Sequence, residues 1–241
     1  MKYLLFDEMC IKDKKPILWD KHMNAICFCV FDDLWCIKKI KTHIKLSNIW
    51  NDYPHFNKLY PHYTEDNLNA RNKFIFEILS KNPFKIFITL WSEDVKNPYE
   101  TEHTVNLFKS ALLKFRKFGI HEICLIFEEG NQKKYAKLGE ICKTFNVKPD
   151  LDISKKEDLF SCIPDYILWI VKDFIINCCN KDEHSPKRKN NTSRSEQYLD
   201  LISSKISLCR INIEGFPLCE FCFSKWNYSS WKQSLLTFSC K

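Results

Sequence analysis

Apolar runs separated by polar clusters recur along the chain, and their lengths alternate between those of strands and helices. Residues 2–7 read as a short apolar strand that runs into Asp7 and Glu8. Residues 10–23 form a polar excursion around Pro16, and residues 24–31 form a second apolar run. Its unbroken character predicts a strand covered on both faces. Asp33 is placed to cap a helix from Leu34, with Trp35, Ile37, Ile40, Ile44 and Leu46 at roughly helical spacing. Two short strands are the competing reading of that stretch. Residues 51–63, rich in Pro, Asn, His and Tyr, read as loop. The next predicted elements are a helix over Asn67–Ser80, ended by Pro83, and a strand over Phe84–Trp91. An amphipathic helix over Glu100–Phe118 is closed by Gly119, a good helix-stop residue. Glu122–Phe127 is a strand, Gln132–Phe145 a helix, Val147–Ile153 a strand and Leu159–Cys178 an apolar helix. Residues 180–196 contain no large apolar residue and read as a mobile loop. Tyr198–Ile206 is a last helix, followed from Ser207 by a strand-like, aromatic tail.

Alternation of β and α elements through residue 178 predicts an α/β fold with helices on both faces of a sheet. The division expected is a core over residues 1–179, a basic loop over 180–196, and a C-terminal helix with a small Cys- and aromatic-rich extension over 197–241. A chain of 241 residues, 45% hydrophobic, is large enough for that core. Only four glycines are present, and no Gly-rich phosphate loop is among them, which argues against nucleotide-binding folds of that kind. The net charge of +7 favours a polyanionic partner such as nucleic acid, although a merely soluble basic protein has the same balance. Several of the thirteen cysteines, including Cys27, Cys29, Cys124, Cys142 and Cys162, lie inside apolar runs, where free thiols behave as small hydrophobes. Asp7 and Glu8 interrupt the opening run too early for a secretory signal, and no run approaches a membrane span. The expectation is a reduced, intracellular, cytoplasmic chain without a membrane partner.

The acids change the picture most. Asp7, Glu128 and Asp152 each follow an apolar strand, with Glu129 and Asp150 beside them, and Asp165 lies near the start of an apolar helix. A carboxylate next to buried strand is costly unless a cation, hydrogen bonds or water compensate it. Side chains at strand ends converge although they are distant in sequence. Hard cations such as Mg²⁺ or Mn²⁺ take oxygen ligands of this kind, and paired ions hydrolyse phosphodiesters. Each acid taken singly is as well explained by a helix cap or a turn.

Phe6-Asp7-Glu8-Met9-Cys10 at the start, with Asp152-Ile153-Ser154-Lys155 and Phe160-Ser161-Cys162-Ile163-Pro164-Asp165-Tyr166 later, resembles the DUF3800 family. The order of elements agrees over about residues 1–206. The resemblance implies an RNase H-like mixed sheet and a metal-dependent nuclease acting on RNA or DNA. It implies that Asp7 is the first-strand ligand, Glu128 the ligand after the fourth strand and Asp165 the late-helix ligand, with Asp152 or Glu129 assisting. The chain departs from the pattern at Met9-Cys10, where Ser-Gly is usual, and at Pro164. The family's Glu-x-His is reduced to Tyr60-Pro61-His62, with Glu65 or Asp66 the nearest substitutes. The same fold kept as an inactive binding or regulatory module is the alternative expectation.

Glu8, His62, Lys155 and the basic run Lys187-Arg188-Lys189 are candidate nucleic-acid contacts. Trp226, Tyr228 and Trp231 are aromatic enough to stack bases, or to pack a terminal layer. Cys219 and Cys222 form a Cys-x-x-Cys whose second ligand pair for zinc is not evident, so free thiols are the default reading.

Overall fold

The computed structural model describes residues 1–11, 22–47, 63, 66, 68–93, 108–109, 112–113, 116–117, 119, 121–128, 140–145, 148–154, 159–179 and 194–212. The strands are β1 (Lys2–Ile11), β2 (His22–Phe31), β3 (Lys85–Glu93), β4 (Glu122–Glu128), β5 (Lys148–Ser154) and β6 (Ile206–Asn212). They form one mixed sheet in the order β5-β4-β1-β2-β3-β6. β1, β2 and β3 are antiparallel neighbours, β4 runs parallel to β1, β5 parallel to β4, and β6 parallel to β3.

Two of the expected strand ends move. β1 does not stop at Asp7, because pairing with β2 continues through Asp7↔Cys27 and Glu8↔Ile26 to Ile11↔Met23. Backbone pairing is indifferent to the charge of a side chain, so two acids do not end a strand that keeps its paired neighbour. The polar excursion over residues 10–23 accordingly gives its two ends to the hairpin, and residues 12–21 lie outside the described residues. β4 likewise includes Glu128 instead of ending at Phe127, while β5 matches the expected Val147–Ile153 to within a residue at each end.

Helix α1 (Leu34–Leu46) settles the choice between a helix and two short strands. The Asp33 carboxylate accepts the Cys36 N–H at 2.8 Å, the N-cap bond that its position predicts. Helix α2 (Leu68–Lys73) continues into π-helical turns over Phe74–Leu79, with the Ser80 N–H bonded to the Ile75 carbonyl at 3.0 Å, a five-residue step. Phe74, Ile75, Ile78 and Leu79 are buried, as the sequence pattern expects. Residues 108–109, 112–113 and 116–117 are helical, and the left-handed φ of 72° at Gly119 follows them. No atom approaches the space of a Cβ there, so the backbone angle alone favours glycine. A 3₁₀ turn (Leu159–Cys162) leads into α3 (Ile163–Cys179).

Helix α4 spans Arg194–Ser203, so the loop expected through residue 196 is already helical at 194. Ser195, Tyr198, Leu199 and Ile202 are its buried stripe, and a small serine fills a contact that an apolar-residue count overlooks. The helix also ends before the expected Ile206, because Ile206 opens β6 against Ile86. The strand-like tail thus supplies a strand of the main sheet as far as Asn212.

Each face of the sheet has its own core. On one, Leu5, Cys27, Cys29, Phe31, Ile86, Ile88, Cys124 and Ile126 pack against α1, α2, α3 and α4. On the other, Leu4, Phe6, Ile26, Phe28, Val30, Phe87, Ile123 and Leu125 pack against Phe108, Leu112, Ile141 and Cys142. Odd and even residues of β1 and β2 divide cleanly between them, as the pleat requires. Cys27, Cys29, Cys36, Cys124, Cys142 and Cys162 are buried thiols outside any disulfide. Burial pushes the Cys142 thiol up to about 12, which keeps it an inert hydrophobe. Among the described residues no helix is long and apolar enough to cross a membrane.

Candidate functional site

Asp7 is in phase with Tyr3, Leu5 and Met9 on β1 and pairs across to Cys27, so it belongs to the face covered by α3. It is half-buried, and its Oδ1 accepts the N–H of Glu8 at 2.8 Å. The parallel pairing of β1 with β4 runs from Lys2↔Ile123 to Leu5↔Ile126. Asp7 and Glu128 each lie two residues beyond the last of these pairs, where no further β1–β4 pairing continues. On β5, Asp152 pairs with Ile126 and Ser154 with Glu128. Parallel partners share a face. Positions 7, 128 and 152 are therefore in phase with Leu5 and Ile126, on the face where α3 lies. The side chains of Glu128 and Asp152 lie outside the described residues.

Asp165 is in the first turn of α3, which packs on β1 and β2. Its Oδ2 accepts the backbone N–H of Tyr63 at 3.2 Å. Tyr63 then follows the Asp165-Trp169-Asp173 row of the helix, one residue of which recurs every four. Its ring stacks on Trp169 with centroids 6.1 Å apart and planes 6° from parallel. Its hydroxyl donates to Asp173 Oδ2 at 2.9 Å. The Arg71 guanidinium lies 4.6 Å from the centre of the same ring. One tyrosine thus fixes both ends of a two-turn stretch of α3. Beside it, the Tyr166 hydroxyl donates to the buried Asp66 carboxylate, and the Tyr198 hydroxyl donates to Asn72.

Burial raises the phenols of Tyr63 and Tyr166 above their ordinary value, with Asp173 and Asp66 respectively adding to it. Burial also raises the Asp173 carboxyl, against the Tyr63 hydroxyl, Lys172 and Arg71, which favour its ionised form. Of this tyrosine–carboxylate network the sequence singles out Asp165 and Tyr166, in the late motif, and Asp66, as a substitute for an absent acid near His62; Tyr63, Arg71 and Asp173 carry no motif. A usable further signal is the recurrence of Asp165, Trp169 and Asp173 at intervals of four on an otherwise apolar helix.

Glu8 is not brought to Asp7. It pairs with Ile26, on the opposite face, because neighbouring residues of a strand point to opposite sides. His62, Glu65, Glu129, Lys155, Lys187, Arg188, Lys189, Cys219, Cys222, Trp226, Tyr228 and Trp231 lie outside the described residues. Among the described residues no three His, Cys, Asp or Glu side chains are grouped as a metal site. Of the expected ligands, Asp7 and Asp165 alone have described side chains.

Phe160, in the turn before α3, packs on Phe31 at 5.0 Å between ring centres. Phe31 pairs with Tyr3, so the helix is anchored at the end of the sheet where β1 begins. Asp7 is four residues further along β1, about 13 Å at the rise of a strand. α3 must therefore climb the sheet for Asp165 to approach the level of Asp7.

No protein-family model matches the chain, and no curated protein matches it. What stands on the structure itself is an α/β chain with a mixed sheet and helices on both faces.

Proposed function

We propose that the chain is a divalent-metal-dependent nuclease of RNase H-like type that hydrolyses phosphodiester bonds in RNA or DNA. The observation that supports the reading is the phase of β1, β4 and β5, in which positions 7, 128 and 152 share the sheet face that α3 covers, close to the end of the β1–β4 pairing. The antiparallel β1-β2-β3 meander, with β4 and β5 parallel to β1 beside it, supports an RNase H-like reading of the mixed sheet. The resemblance of the Asp7 and Asp165 segments to the DUF3800 family supports the same roles.

The donor set is chemically apt, since carboxylates are the ligands Mg²⁺ and Mn²⁺ prefer. Asp7, Glu128 and Asp165 would hold the ion, with Asp152 assisting. Bound there, it supplies an activated water and a counter-charge for the leaving oxygen. The chain's own part is to hold the acids in place. Asp7 is set by strand pairing on β1, and Asp165 by the Tyr63 N–H. Labelled single-stranded RNA and DNA incubated with Mg²⁺ or Mn²⁺ test this. Cleavage that needs metal and falls by about 100-fold or more in Asp7→Asn and in Asp165→Asn is the expected result.

The anchoring of α3 at the Tyr3 end of the sheet favours a second reading, the same fold acting as a binding or regulatory module. On that reading Asp165 is a structural acceptor for Tyr63. Nucleic acid or protein is then bound with no turnover at any metal concentration.

A further inference from the structure

The solvent face of α1 is the most basic surface among the described helices. Cys36, Ile37, Ile40 and Ile44 are buried, and they fix which way the helix is turned. At 100° per residue the opposite arc, about 160° wide, holds Lys41, Leu34, Lys45, Lys38, Thr42, Trp35, Leu46 and Lys39 in angular order. All eight are exposed. Trp35 is 65% exposed, and the Lys39 ammonium lies 5.2 Å from the centre of its ring. The helix contains no acid. The two acids at its start are engaged, Asp32 with Lys2 at 2.6 Å and Asp33 as the N-cap. Among the described residues Lys38, Lys39 and Lys45 form no ion pair.

We propose that this face of α1 docks single-stranded nucleic acid, with Lys38, Lys41 and Lys45 on phosphates of one strand and Trp35 under a base. The three lysines follow an i, i+3, i+7 row that rises about 10 Å, which covers about three phosphate steps of about 3.4 Å along a strand. An exposed tryptophan at the head of a basic row combines base stacking with phosphate contacts, as single-strand binders do. An anionic membrane suits the face less well. The helix's apolar stripe is committed to the core, and only Leu34 and Trp35 at one end and Leu46 at the other remain for insertion. α1 also touches the 3₁₀ turn that opens α3, and the Lys41 ammonium lies 5.4 Å from the Phe160 ring. The track therefore leads towards the helix that carries Asp165, and only in that respect does it rest on the nuclease reading.

The test measures binding of the full chain to fluorescein-labelled oligo(dT) and oligo(U) by anisotropy in EDTA, where turnover plays no part. Lys38→Ala/Lys41→Ala/Lys45→Ala should weaken binding by about tenfold or more at moderate salt and lower the slope of log affinity against log salt by about 2. Trp35→Ala should cost about 5- to 100-fold and Trp35→Phe much less, with the salt slope unchanged in both. Parental affinity and slope in the triple variant would overturn the proposal. So would binding of the parent to phosphatidylserine vesicles but not to either oligonucleotide. Metal-dependent cleavage that survives in the triple variant with unaltered binding removes this inference and leaves the nuclease reading. Lysine-dependent binding without cleavage does the reverse.

Discussion

The two faces of the sheet are both sealed from water, yet they are built on different terms. Among the described residues the core on the face that holds Phe6, Phe28 and Phe108 is apolar side chains and the Cys142 thiol, with those three rings 5.6 to 6.5 Å apart. The face under α1 to α4 buries polar groups as well. Among the described residues the buried polar ones are Asp66, just before α2, Asn82, after the π-helical turns that continue α2, and Ser195, on α4. A buried carboxylate bonded to a tyrosine stabilises less than a well-packed phenylalanine, and it specifies one arrangement more narrowly. The difference suggests a division of labour. The aromatic face holds the sheet together, and the helical face positions acids.

The largest effect that tests this division is on the aromatic side. Phe28→Ala should lower the unfolding free energy by about 3–5 kcal/mol, read from urea denaturation. A loss below 1 kcal/mol would mean that this core carries little of the fold. On the other face, Tyr166→Phe removes only a hydroxyl, the donor to buried Asp66. It should cost about 1–3 kcal/mol in the same assay. A neutral result would show that the network is not a structural element.

The smallest effect has a sign that depends on pH. Burial raises the Asp173 carboxyl above its ordinary value of 3.8. The folded chain thus holds that proton more readily than the unfolded chain. This contribution is fully present below 3.8 and is lost as pH climbs through the raised value. Asp173→Asn does not titrate, and its amide oxygen still accepts from Tyr63. Its stability relative to the parent should therefore increase between about pH 4 and pH 7. The change should stay under about 1 kcal/mol, because the side chain is only half-buried. A difference that stays flat or falls across that range removes Asp173 as a destabilising buried acid.

Much of the secondary structure was legible from local pattern. Asp33 announces α1, Gly119 ends a helix, and Phe74, Ile75, Ile78 and Leu79 mark a buried helical side. Ends were less legible. Acids at positions 7 and 128 look like terminators, whereas pairing with β2 and β5 carries the backbone through them. Of the candidate site, the acids were visible as residue types after apolar runs. Tyr63, Arg71 and Asp173 were not, since their partners lie 102 and 110 residues away or on another helix.

By itself the sequence determined which residues go inside and the alternation that splits β1 and β2 between two cores, because the pleat and the helical turn are local periods. It also determined that acids flank apolar segments. Only the tertiary structure decided that β4 lies beside β1, that Glu8 faces away from Asp7, and that α1 turns its lysines outward. Strand order and register are set by contacts between segments far apart in the chain, and no local pattern encodes which distant partner offers the better fit.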